Sequence, residues 1–171
     1  MDDFAKALVA AIIGGLMVMA GQFIQDRRKA AEEKKKRKED RLLELIYAIY
    51  EHNHWLPTQS RLMAQGSHDK LVVTPFSRIQ GLTQIYFRQF LPLVGKLALA
   101  GEQYQNWLLN NSEHIGGVTL PDNLADERRT MYRNYISCSD ALMNEIQKYA
   151  KHEFGLQVVK YEIEAGTRFP A

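Results

Sequence analysis

The sequence predicts an all-α protein: a single N-terminal transmembrane helix that continues into a charged stalk and a cytoplasmic bundle of three to four helices. Three observations carry that prediction. Residues 7–25 contain no charged side chain. Residues 26–41 hold nine Lys/Arg and five Asp/Glu. Beyond residue 41, apolar side chains recur at three- and four-residue spacing almost throughout. The overall composition is average, with 171 residues, 46% hydrophobic, 25% charged and a net charge of +2. Such averages exclude a disordered chain, a polytopic membrane protein and a strongly basic nucleic-acid binder. The lone Cys138 excludes an intramolecular disulfide framework and a Cys-clustered zinc site.

The first segment, residues 1–25, contains the run ALVAAIIGGLMVMAGQFIQ between Lys6 and Asp26. As a helix it is about 28 Å long, close to the roughly 30 Å hydrocarbon thickness of a bilayer. Its two glutamines, Gln22 and Gln25, lie at one end, within reach of headgroups and water. A cleaved signal peptide competes with this reading, because Val18 and Ala20 stand at small-residue spacing before Gly21. A signal peptide, however, has basic residues ahead of its apolar run. Here they follow it, and the start carries Asp2 and Asp3. The positive flank stays in the cytoplasm. The expected location is therefore the cell (inner or plasma) membrane, N-terminus out and C-terminal domain in.

Ala7, Ala11 and Gly15 recur at four-residue spacing, and Gly14 pairs in the same way with Ala10. Small residues four apart let helices approach closely in lipid. They predict a homo-oligomer or docking on another membrane subunit.

Residues 26–41 form the basic juxtamembrane stalk, with a net charge of +4. Good helix formers fill it, and Glu32–Lys36 and Glu33–Arg37 pair at i,i+4 in the favourable order. One helix is expected from the bilayer to about residue 53. Arg27, Arg28, Lys29, Lys34, Lys35, Lys36, Arg37 and Lys38 are the candidates for contact with the headgroups of membrane lipids. No nucleic-acid partner is expected, since acids interleave with the bases and no aromatic platform accompanies them.

The bundle is placed at residues 42–157. Leu42, Leu45, Ile46, Ile49 and Tyr50 trace one helical face, and Pro57 is expected to stop that helix. Residues 58–67 read as a turn or helical fragment, and residues 70–74 as β-prone. Thr74-Pro75 is a helix start, with Thr as N-cap. Ile79, Leu82, Tyr86, Phe90, Leu93 and Leu97 then follow, with Pro92 expected to kink or break the helix. Phe87 falls off that stripe and reads as a contact surface. Residues 111–123 are a loop by composition. The last helix carries Met131, Tyr135, Cys138, Leu142, Ile146 and Tyr149, with Asp122 or Asn123 as cap and Gly155-Leu156 as its stop. The tail, residues 158–171, reads as extended.

No catalytic constellation emerges. Glu51 and His54 share a helical face, but no second E-x-x-H accompanies them. His52 and His54 point about 200° apart, so they cannot share an ion. Arg78, Arg88, Arg128, Arg129 and Arg133 read as solvated surface, and Cys138 as a small hydrophobe. No catalytic, cofactor-binding or metal residue is assigned, and no cofactor is expected. The expectation is a membrane-anchored interaction module that is not an enzyme. The alternative is a pore-forming or lysis effector with a regulatory cytoplasmic domain.

Overall fold

A computed structural model describes the backbone of residues 2–64, 74–111 and 121–156. Side chains are described from residue 21 onward within these stretches, except 60, 61, 63 and 64, together with Met17 and Met19. Residues 70–73 of the β-prone segment, most of the 111–123 loop and the C-terminal tail lie outside the described residues, as do the side chains of Ala7, Ala11, Gly14 and Gly15.

The described chain is all helical. Helix α1 spans Asp2–Ala64, α2 Phe76–Tyr86, α3 Leu91–Asn110 and α4 Asp122–Phe154, with a short 3₁₀ turn at Arg88–Phe90 before α3. Among the described residues, no helix is long and apolar enough to cross a membrane. The chain divides into two units, Met1–Asp40 and Arg41–Ala171.

In the first unit, α1 is the sole element. Its described side chains from Gly21 to Arg37 are exposed. Arg37 donates to the Glu33 main-chain carbonyl at 3.4 Å. Arg27 lies over the Phe23 ring, 4.5 Å from its centroid.

The second unit holds the core. Leu42, Leu45, Ile46, Ile49 and Leu56 of α1 are buried together with Ile79, Leu97, Leu108, Leu142 and Ile146 from the other helices. Helix α3 runs antiparallel to α4. Trp107 bonds Glu127, the Tyr104 ring meets Tyr132, and Phe90 meets Tyr149. Outside the core, Glu44 accepts from both Arg41 and Arg78 and ties α2 to α1.

Several expectations need correction. Pro57 does not end α1, which continues to Ala64. The proline forfeits one main-chain bond and crowds the Asn53 carbonyl, at about 3 kcal/mol. Burial of Leu56 beside it offsets part of that cost. Helix α2 begins one residue later than expected, with the Thr74 hydroxyl accepting the Phe76 N–H at 3.2 Å. The break after α2 falls at Phe87 (φ −135°, ψ 51°), ahead of Pro92, which sits in the first turn of α3, where its missing N–H costs nothing. Phe87 is no contact surface: it is 0% exposed, stacked on Phe90 and edge-on to Tyr149. Neither Asp122 nor Asn123 caps α4; Pro121 holds that position. The far end of α4 follows the sequence. Gly155 is left-handed (φ 71°) and its N–H bonds the Lys151 carbonyl, the 5→1 bond of the αL motif, while Leu156 N–H reaches Ala150.

Candidate functional site

A buried polar cluster joins α1 to α4 inside the largely apolar core. Its members are His52 and Asn53 of α1 and Tyr135 and Ser139 of α4. His52 and Asn53 are adjacent in sequence, so they lie about 100° apart on the helix and reach two neighbouring residues of one partner face. Tyr135 and Ser139 are four apart and therefore stack on that face. The Tyr135 hydroxyl donates to Asn53 Oδ1 at 2.6 Å. Its single proton is then committed, so His52 Nδ1–H donates to the Tyr135 oxygen, also at 2.6 Å. Asn53 Nδ2 donates to Ser139 Oγ at 2.8 Å. Every one of these residues loses water on folding and receives a partner in exchange.

Rings close the cluster on its other sides. The His52 imidazole stacks with Trp55 at 5.6 Å and tilts against Phe76 at 5.3 Å. Gly101 of α3 backs both polar residues: a Cβ there would stand 3.8 Å from His52 Cε1 and from the Tyr135 ring. Burial pushes the His52 imidazolium pKa down to about 4. Burial, and then the Tyr132 hydroxyl, push the Tyr135 phenol well above its ordinary value. Both groups are therefore neutral at physiological pH.

The arrangement holds two helices in register. The imidazole is bonded to Tyr135, whereas Ser139 is bonded to Asn53. Ser139 itself is 2% exposed. No group of three or more His, Cys, Asp or Glu side chains capable of holding a metal occurs among the described residues. Glu51 and His54 are exposed; Glu51 lies 3.9 Å from Arg78. Cys138 is half-buried against the core.

The stalk candidates Arg27, Arg28, Lys29, Lys34, Lys35, Lys36 and Arg37 are exposed on α1, and Lys38 is half-buried. Three of the arginines read as solvated surface have local partners. Arg78 faces Glu44 of α1, Arg129 pairs with Asp126 at 2.8 Å, and Arg88 donates to the Gln84 carbonyl. Sequence reasoning missed the polar cluster. It weighs His52 only as a metal ligand with His54, in a helix expected to stop at Pro57. The available signal was position: His52 and Asn53 lie between Ile49 and Leu56, on a stripe that continues past the proline.

Comparison with family models, with curated proteins and with solved structures returns no match to this chain. The functional reading therefore rests on the residues themselves.

Proposed function

We propose that this chain is a single-pass, membrane-anchored helical interaction module, a subunit or regulator of a membrane-associated complex, and not an enzyme. One observation carries the reading: an uncharged run, residues 7–25, is followed directly by a run of net charge +4, residues 26–41, and both lie on the same helix α1. Hydrocarbon accepts a helix whose backbone bonds are all internal and whose side chains carry no charge. Anionic headgroups favour Lys and Arg just outside it, at about 1 kcal/mol each. Met17, Met19, Phe23 and Ile24 support the reading as large apolar side chains exposed on the helix surface. Phe23 beneath the Arg27 guanidinium fits the level where aromatic rings and snorkelling cations meet the headgroups.

On this reading the anchor sits in the inner or plasma membrane with the N-terminus outside and the bundle in the cytoplasm. Ala7, Ala11, Gly14 and Gly15 form the packing stripe toward a second copy or another membrane subunit. The test is extraction of cell membranes with alkaline carbonate, followed by protease treatment of spheroplasts. The chain should stay in the pellet, and the bundle should be protected until the membrane is opened. Release into the supernatant overturns the anchor; digestion in intact spheroplasts overturns the orientation. Cross-linking in native membranes, compared with Gly14→Leu/Gly15→Leu, tests the packing stripe.

A further inference from the structure

The stalk segregates its charges by face. Helix α1 is continuous through residues 26–40, so successive side chains turn by about 100°. Arg27, Arg28, Lys34, Lys35, Arg37 and Lys38 therefore share one half of the helix surface, and no acid falls on that half. The other half carries all five acids of the segment, Asp26, Glu32, Glu33, Glu39 and Asp40, together with Lys29 and Lys36. A helix laced only by its own ion pairs places an acid three or four residues from each cation. Arg27 and Lys34 have no acid at those positions. Lys34 and Lys35 are exposed on the one half, as are Glu32 and Glu33 on the other.

Lipid headgroups answer only the first of these cations. On the anchor reading the hydrocarbon ends near Gln25. Arg27 and Arg28 then stand about 3–5 Å beyond it, inside a headgroup layer about 5–8 Å deep. Lys34 and Lys35 stand about 14–15 Å out, and an ordinary tilt of about 20° hardly shortens that distance. Screening over about 8 Å leaves them little of the lipid charge.

We propose that the cationic half of the stalk docks on the acidic half of a second copy of this chain, Lys34 and Lys35 of one copy meeting Glu32 and Glu33 of the next. Charge complementarity and height select this occupant. Another copy anchored in the same membrane runs parallel and inserts to the same depth. Its Glu32 and Glu33 then stand within about 2–5 Å of Lys34 and Lys35 along the helix axis. The contact uses a different face on each partner, so it repeats from copy to copy. The proposal rests on the anchor reading for this parallel alignment, and it names the partner that the packing stripe leaves open.

The test uses the full chain in vesicles of phosphatidylcholine, which carry no net charge. Copies with Asn134→Cys, an exposed position of α4, in a Cys138→Ala background are labelled with a donor or an acceptor fluorophore. Energy transfer between copies is followed as the protein is diluted with lipid. One variant carries Lys34→Glu with Lys35→Glu, the other Glu32→Lys with Glu33→Lys. Glu and Lys are both good helix formers, so α1 is kept. Wild-type copies should transfer energy. Each variant alone should need about tenfold more protein per lipid to do so, since two attractions become repulsions. Donor-labelled copies of one variant mixed with acceptor-labelled copies of the other should recover wild-type transfer, because contacts between unlike variants again join opposite charges at that height. Equal transfer in wild type and in both variants overturns the proposal and assigns the contact to the uncharged run. So does a mixture that transfers no better than either variant alone. A wild type without transfer also overturns it and leaves Lys34 and Lys35 to a different acidic chain. Carbonate extraction is scored separately: a chain that resists extraction but fails the mixing experiment keeps the anchor and loses the stalk contact. An extracted chain that passes it keeps the contact and loses the anchor.

Discussion

Acid is expected to loosen the attachment of α1 to α4 through His52. The imidazole is 4% exposed, donates to Tyr135 and is held neutral, with its pKa lowered from 6.5 to about 4. In the unfolded chain it titrates near the ordinary value. Between those two pH values the unfolded state binds a proton that the folded state refuses. Stability is therefore fully present above about pH 6.5 and falls as pH drops toward 4. A gap of about 2.5 pH units is worth roughly 3 kcal/mol at ~1.4 kcal/mol per unit. That is a large share of the 5–15 kcal/mol by which ordinary domains are stable. The assay is urea unfolding at several pH values between 7 and 4, followed by the fluorescence of Trp55, which stacks on the same ring. His52→Gln supplies the reference, because its amide can donate to Tyr135 but does not titrate. Glu44 also loses stability in acid, since the hydrogen bonds from Arg41 and Arg78 lower its pKa. That contribution is common to both proteins and cancels in the difference. Wild type should lose about 3 kcal/mol more than His52→Gln across the range. Parallel pH profiles for the two proteins would refute the argument.

Three further substitutions probe the same structure. Tyr135→Phe strands the His52 donor while Ser139 can still reach Asn53, so a loss of about 1–3 kcal/mol is expected by urea unfolding at neutral pH; an unchanged midpoint would show that the network contributes nothing. Pro57→Ala restores a main-chain bond inside α1 and should raise stability, by at most about 3 kcal/mol; a lowered melting temperature would mean that the proline's shape is required there. Gly155→Ala meets no neighbouring atom, so its cost is the left-handed backbone alone, about 1–2 kcal/mol, read as a lowered melting temperature.

Much of the helical framework was legible because it depends on local rules. The stripe Leu42, Leu45, Ile46 and Ile49 is buried as its spacing requires. The end of α4 could be read from two residues, because only a left-handed residue lets Leu156 N–H fold back onto Ala150. The errors share one cause. At Pro57, local propensity favours a stop, but α1 is held in the core by Leu42, Leu45, Ile49 and Leu56, and that collective packing outweighs one lost bond. At Phe87, helical spacing projects the ring outward only if the helix continues. Once the chain breaks after Tyr86, the same ring enters the core and Tyr86 is left exposed.

By itself the sequence determined the helical class, the partition of charge into an uncharged run followed by a basic one, and most of the residues that face inward. These follow from properties of neighbours along the chain: spacing, charge order and terminal residues. Only the tertiary structure decided which polar groups share the core and which apolar ones stay outside. His52 meets Tyr135 across 83 residues and Asn53 meets Ser139 across 86. No periodicity encodes such pairs. A buried donor requires an acceptor wherever the fold delivers one, and the identity of that acceptor is set by how whole helices pack.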